Sequence, residues 1–171
     1  MATKARETGA GYIQSLLDAL GARDPLTVMA ATPAAVKDAV AGLDHARLTR
    51  PEAPGKWSIL DVVQHLADSE LVCGYRVRMI VSHPTPPIQG FDQDLWAREL
   101  EYDKRDLGEA LEEFRTLRES NVRLLRLLSS QKRERFGIHS ERGEESVAKM
   151  MGLYAGHDLI HLKQIERIKN K

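Results

Sequence analysis

The chain lacks the features that mark secreted, membrane-spanning and nucleic-acid-binding proteins. Its single cysteine, Cys73, cannot form an internal disulfide, which is typical of proteins from a reducing compartment. The 25 basic residues equal the 25 acidic residues, so no net positive charge attracts a phosphate backbone. No apolar run is long enough to cross a bilayer, and the first residues carry no apolar signal core. These absences predict a soluble cytoplasmic protein that binds neither membranes nor nucleic acid.

Aromatic residues are also scarce, at 5%, whereas Leu, Ala, Arg, Glu and Lys are frequent, a composition that favours helix. The length of 171 residues suits one domain, which we expect to span residues 1–171. Apolar residues recur at helical spacing in four long segments, at about residues 7–22, 58–82, 107–129 and 144–169. Residues 44–56 and 85–96 are predicted to be loops, residues 131–143 are predicted to be a loop or a short extended piece, and no pair of strands is convincing. The pattern therefore predicts an all-α fold, an antiparallel four-helix bundle.

Local signals predict where several helices begin. Ser58 is a good N-cap, and Asp61 three residues later completes a pair that resembles a capping box. Asp24-Pro25 predicts the start of a short helix, and Thr32-Pro33 predicts the start of the next one, with Pro33 in its first turn.

Two histidines on the last helix are the main candidates for chemistry. His157 and His161 are four positions apart, so both imidazoles project from one side of the helix. They share the apolar stripe of that helix, which directs them towards the core. Two imidazoles in this arrangement can bind one transition-metal ion. The same stretch is similar to the H-E-x-x-H helix of zinc proteases, but Asp158 replaces the glutamate and no third ligand follows it.

A third histidine, His65, lies near the buried side of the second helix. Three neutral imidazoles with one open coordination position form the usual catalytic zinc pattern, and Ni(II), Co(II) or Fe(II) also fit such a set. The alternative is that each histidine is a hydrogen-bonded structural residue of the core.

Other residues are candidates for supporting roles. Carboxylates that could orient the imidazoles from outside the ligand shell are Asp61, Asp68, Glu70 and Asp158. Candidates for lining a pocket are Gln64, Phe91, Trp96, Tyr102 and Tyr154. His45 and His139 are expected at the surface. The arginines of the third helix are expected on a solvated face: Arg115, Arg118, Arg123 and Arg126. The alternative is that one of them turns inward to bind an anionic ligand.

Two segments resemble the DinB-like superfamily, including its YfiT-type members. In residues 57–70, a Trp-Ser helix start is followed by His65-Leu66 and an acidic residue. In residues 157–165, an H-x-x-x-H pair is followed by Gln164-Ile165. The resemblance implies a four-helix bundle that holds one divalent metal ion through His65, His157 and His161, and it implies a homodimer. Family members include hydrolases and transferases or isomerases that use bacillithiol, mycothiol or glutathione.

The sequence therefore supports two hypotheses of different kinds. The first is a metal-dependent enzyme that acts on a small molecule, in which the ion activates water or a low-molecular-weight thiol. Zinc or nickel is the first expectation for the ion, with iron, cobalt or manganese as alternatives. The second is a non-catalytic bundle, with or without metal, that acts through dimerisation or a protein partner.

Overall fold

The computed structural model describes residues 9–171, and helices dominate it. The elements in chain order are α1 (Ala10–Leu20), α2 (Pro25–Val40), α3 (His45–Thr49), α4 (Ile59–Ser82), β1 (Pro87–Ile88), α5 (Gln93–Glu99), a 3₁₀ turn (Tyr102–Lys104), α6 (Leu107–Leu127), α7 (Ser130–Arg133), β2 (Phe136–His139), β3 (Gly143–Ser146) and α8 (Val147–Lys169). The predicted start of the first helix at residue 7 lies outside the described residues. No helix of residues 9–171 is long and apolar enough to cross a membrane.

The bundle consists of α2, α4, α6 and α8. Helix α2 packs on α6 and α8, and α4 packs on the same two helices. Helix α1 lies against α8. The prediction of a four-helix bundle is confirmed, but its first helix is α2 rather than the segment at residues 7–22.

The prediction of a helix start at Thr32-Pro33 is wrong. Asp24 caps α2, because its carboxylate accepts the backbone N–H of Thr27 at 2.7 Å, and the helix then continues through Pro33. Proline has no N–H, so it cannot bond the carbonyl one turn earlier in the helix, that of Met29. The Arg118 side chain donates to this carbonyl at 2.8 Å. A contact from another helix therefore allows α2 to run uninterrupted.

Helix α4 begins and ends where the sequence predicts. The Ser58 hydroxyl accepts the N–H of Asp61 at 3.3 Å, and the Asp61 carboxylate accepts the N–H of Ser58 at 2.8 Å, so the capping box is confirmed. Of the sixteen residues that α4 buries, His65 is among the most enclosed at 1% exposed.

The absence of strands was a wrong prediction. β1 pairs with β2 in parallel, and β2 pairs with β3 in antiparallel. β1 lies in a predicted loop and β2 lies in the segment expected to be a loop or a short extended piece. β3 replaces the predicted start of the last helix at residue 144, so that helix begins only at Val147. Each strand has only two to four residues, too few for a clear alternating pattern. Gly137 allows the close approach of the first two strands, since a Cβ at this position would lie 2.6 Å from the Pro86 carbonyl oxygen. The small sheet covers one end of the bundle.

The core consists of two apolar clusters with polar residues between them. One cluster contains Met29, Cys73, Ile80, Val122 and Met150, and the other contains Val36, Ile59, Phe114, Ile165 and Ile168. Six of the buried charged and polar side chains lie on the same helices: His65, Glu70, Arg118, Asn121, Asp158 and His161.

Arg118 is the largest departure from the expected solvated face of the third helix. It is 2% exposed, and its guanidinium makes two bonds to the Asp158 carboxylate, at 2.5 and 2.9 Å. Its Nε lies 3.0 Å from the Glu70 carboxylate. One arginine does turn inward, as the alternative allowed, but its partners are carboxylates of the chain. This ion cluster links α4, α6 and α8 at the level of the histidines.

Candidate metal centre

Three imidazoles from two helices converge at one point. His65 comes from α4, and His157 and His161 come from α8. The Nε2 atom of His157 lies 2.9 Å from that of His65 and 3.1 Å from that of His161. One nitrogen from each ring lies within 4.8 Å of the others, and no carboxylate or thiol of the described residues belongs to the group.

This geometry fits a bound metal ion. A tetrahedral ion at 2.0–2.1 Å from each nitrogen separates its ligand nitrogens by about 3.3 Å. The separations of 2.9 and 3.1 Å are a few tenths of an ångström shorter, so a small outward movement of the rings would admit the ion. Three imidazole nitrogens are a donor set that suits Zn, Ni and Fe.

The protonation of the three rings supports the same interpretation. Burial lowers the pKa of His65 and His157 well below the ordinary value of 6.5, and it lowers the pKa of His161 to about 4. All three rings are therefore neutral at pH 7, and a neutral imidazole has one lone pair available for a cation. Neighbouring Nε2 atoms that both present lone pairs repel each other unless a proton or a cation lies between them.

Gln164 supports His161 from outside the cluster, a role that the sequence did not reveal. Its side-chain oxygen lies 2.9 Å from Nδ1 of His161, and its amide nitrogen donates to the Glu52 carboxylate at 3.4 Å. The contact with Glu52 orients the amide so that the oxygen faces the ring. Nδ1 of His161 then carries the proton, and Nε2 keeps the lone pair that a ligand needs. The available signal was the spacing, since residues three apart on a helix are neighbours.

The carboxylates expected to orient the imidazoles do not contact them. Asp61 caps α4, and Asp68 accepts bonds from Tyr102 and from Gln64. Glu70 and Asp158 bind Arg118, as described above. Their predicted role outside the ligand shell is wrong, because each of these groups has a closer partner from another helix, from the 3₁₀ turn or from its own helix start. Nδ1 of His65 and Nδ1 of His157 are buried without a partner among the described residues.

A cavity of about 90 Å³ opens beside His65 and His157. Tyr154 and Phe91 line it, as predicted, whereas Gln64, Trp96 and Tyr102 do not. Helix α1 contributes the apolar wall, and the small sheet contributes polar residues. The indole of Trp57 packs against His65, with ring centroids 4.7 Å apart. A small molecule in the cavity would therefore meet the histidine cluster directly.

The two remaining histidines discussed in the sequence differ in their surroundings. His45 is exposed, as predicted. His139 is 2% exposed and lines the cavity, so its predicted place at the surface is wrong. It lies at the end of β2, and the unpredicted pairing of β2 with β1 and β3 encloses it.

Comparisons with known proteins agree with the fold. A protein of Oceanobacillus iheyensis named "Putative metal-dependent hydrolase" is 31% identical over 133 residues, which are 78% of this chain and 77% of that protein. "Putative metal-dependent hydrolase YfiT" of Bacillus subtilis is 27% identical over 147 residues, 85% of this chain and 83% of that protein. Both names describe those proteins as metal-dependent hydrolases.

The structural comparison extends over a similar share of the chain. The solved structure of YfiT from Bacillus subtilis, described as having "an unusual four-helix bundle topology", matches with a TM-score of 0.81 and 26% identity, over 85% of this chain and 84% of that one. The family model described as the DinB superfamily matches residues 29–165, which include all three histidines of the cluster. This chain therefore belongs to the DinB superfamily.

Proposed function

We propose that His65, His157 and His161 hold one divalent metal ion and that the protein is a metal-dependent enzyme, a hydrolase or a thiol S-transferase. The observation that carries the proposal is the convergence of three neutral, buried imidazoles at the wall of a cavity. Such an ion, when bound, acts as a Lewis acid that makes water or a thiol nucleophilic near neutral pH.

The residues of the chain provide the conditions for this chemistry. Burial keeps the imidazoles neutral, so protons do not compete with a cation at pH 7. Gln164 orients His161, and the indole of Trp57 packs against His65. The cavity leaves one side of the cluster accessible, and an accessible position separates catalytic from structural metal sites.

The substrate would be a small molecule, since the cavity measures about 90 Å³. Zinc or nickel remains the first expectation for the ion, and iron, cobalt and manganese are the alternatives. We also expect a homodimer. Leu71 and Tyr75 are 53% and 65% exposed and lie one turn apart on α4, where they offer apolar surface to a second copy. Size-exclusion chromatography with light scattering measures this directly.

The metal content of purified protein tests the proposal. Elemental analysis should find about one divalent ion per chain in the wild type and almost none in the His65→Ala/His157→Ala/His161→Ala variant. The His45→Ala variant is the matched control, because His45 is exposed and lies outside the cluster. Equal, near-zero metal in all three proteins after metal supplementation would contradict the proposal.

The choice between water and thiol requires a second assay. The metal-loaded protein is incubated with a low-molecular-weight thiol and a set of electrophiles, and loss of free thiol is followed over time. Esters and amides are tested in parallel without thiol. Turnover in one set that the triple histidine variant lacks identifies the nucleophile. A metal-loaded protein whose fourth coordination position is filled by a protein side chain would instead favour the non-catalytic alternative.

A further inference from the structure

The cavity has a second polar end, away from the histidine cluster. Helix α4 contributes His65, Ser69 and Arg76 to the cavity wall, at intervals of four and seven residues that place them on one side of the helix. At a rise of about 1.5 Å per residue, His65 and Arg76 are about 16 Å apart along the helix axis. One molecule would therefore contact both ends only through two different groups.

Arg76 is a buried cation without a counter-charge. It is 6% exposed, its Nη2 donates to the backbone carbonyl of Gln89 at 2.6 Å, and its guanidinium lies 5.9 Å from the centre of the Phe91 ring. No carboxylate of residues 9–171 forms an ion pair with it, whereas Arg118, the other deeply buried arginine, has two. Because a buried charge is strongly destabilising unless an opposite charge accompanies it, Arg76 is suited to an anion from outside the chain.

His139 presents a hydrogen-bond donor at the same end. Its Nδ1 accepts the backbone N–H of Glu141 at 3.1 Å, so Nδ1 carries no proton. A neutral ring then carries its proton on Nε2, which is buried and has no partner among the described residues. Burial lowers the pKa of His139 to about 4, which keeps the ring neutral at pH 7. The strand pairing of β2 holds this donor in place.

The charges around this end favour a monoanion. Arg142 and Glu145 also line the cavity, but they neutralise each other through two bonds of 2.8 and 3.0 Å. Glu141 is exposed, so water screens its carboxylate. One positive charge, that of Arg76, therefore remains uncompensated within the buried wall. A carboxylate would balance it, whereas a phosphate dianion would leave an excess of negative charge beside Glu145.

We propose that Arg76 and His139 form a subsite for a carboxylate group, and that the substrate carries this carboxylate at the end remote from the bond that reacts. The assignment of the reacting end rests on the proposed metal centre. The carboxylate subsite itself does not rest on the metal centre, because Arg76 and His139 lie outside the histidine cluster. The substrate class is thus a small molecule with one terminal carboxylate.

The test measures binding of small probes to the metal-free protein by NMR of the imidazole nitrogens. The probes are butyrate, its neutral isostere butyramide, and inorganic phosphate, and the signal of His139 is identified by its loss in His139→Phe. Butyrate should shift the His139 Nε2 signal saturably. Butyramide should bind about tenfold more weakly or not at all, because it lacks the charge-assisted bond. All three titrations use the wild-type protein, and the variant serves only to identify the signal.

Variants of α4 show whether Arg76 is the cation responsible. Arg76→Met should weaken butyrate binding about tenfold or more, whereas Arg76→Lys should retain part of it. Arg78→Met is the matched control, because Arg78 is exposed on the same helix and does not line the cavity. Its affinity for butyrate should equal that of the wild type.

Several results would overturn the proposal: no saturable shift with butyrate, equal binding of butyramide, tighter binding of phosphate, or an equal loss in Arg78→Met. Repeating the titration with metal-loaded protein separates the two proposals. Butyrate binding in a chain that takes up no metal would defeat the metal centre alone. Metal uptake without a response to butyrate would defeat the carboxylate subsite alone.

Discussion

Gly156 lies where α8 packs closely on α1, one residue before His157. A Cβ at this position would lie 2.1 Å from the backbone oxygen of Leu16 and 2.6 Å from its carbonyl carbon. Ordinary contact begins at about 3.4 Å, so Gly156→Ala requires the two helices to separate by more than 1 Å. The obstacle is backbone, which cannot rotate away as a side chain can. We therefore expect Gly156→Ala to lower the free energy of unfolding by about 3 kcal/mol, the upper end for overpacking.

Gly152→Ala is the matched control, one turn earlier on the same helix. A Cβ there would lie 3.4 Å from a side-chain carbon of Leu17, which is ordinary van der Waals contact. Because alanine favours helix over glycine, this variant should be unchanged or more stable by up to about 1 kcal/mol. Glycine-to-alanine substitution should therefore leave the free energy of unfolding unchanged or higher at residue 152, and should lower it strongly at residue 156.

Urea unfolding followed by far-ultraviolet circular dichroism measures both changes. A difference of about 3 kcal/mol corresponds to about 6–12 °C between the melting temperatures for a protein of this size. Helix α1 forms the apolar wall of the cavity through Tyr12, Ile13 and Leu16, so its displacement should also weaken binding in the cavity. Equal stability of the two variants would refute the close approach of α1 and α8 on which this reasoning rests.

Three further predictions concern the buried polar groups. Gln164→Leu should lower metal affinity about 10–100-fold without unfolding the protein, because His161 loses the partner of its Nδ1. Gln164→Glu should restore most of the affinity, and competition with a chelating dye measures both changes. Arg118→Met should destabilise the protein by about 3–5 kcal/mol in urea unfolding, because it leaves two buried carboxylates uncompensated. Arg115→Met, on the exposed face of the same helix, should change stability by less than about 1 kcal/mol. In the metal-free protein, burial lowers the pKa of His161 to about 4 from 6.5, so the unfolded chain binds this proton more tightly. Stability should therefore be full above pH 6.5 and should fall by about 3 kcal/mol from this group as the pH drops to 4, at about 1.36 kcal/mol per pH unit; a stability curve that is flat between pH 7 and pH 4 would contradict the burial of His161.

The features that a single segment encodes were predictable from the sequence. Helix α4 could be placed from Ser58 to Ser82 because the capping box and the apolar period are both local. The i, i+4 spacing of His157 and His161 likewise fixed their common face without any knowledge of the rest of the fold. The choice of His65 depended on its place near the apolar stripe of α4 and on the family resemblance.

Features that depend on a distant segment were not predictable in this way. The charge pattern of α6 is the same for Arg115 as for Arg118, yet only Arg118 finds a freed carbonyl on α2 and two carboxylates on α4 and α8. His139 appears polar and isolated in the chain, but strands of two to four residues enclose it once β1 and β3 lie on either side. Helical periodicity specifies which residues share a face, because it is set by backbone geometry within one element. Packing between elements decides which buried charge has a partner of opposite charge and which residue supplies it. Only the folded chain shows this, because the partners lie on different elements.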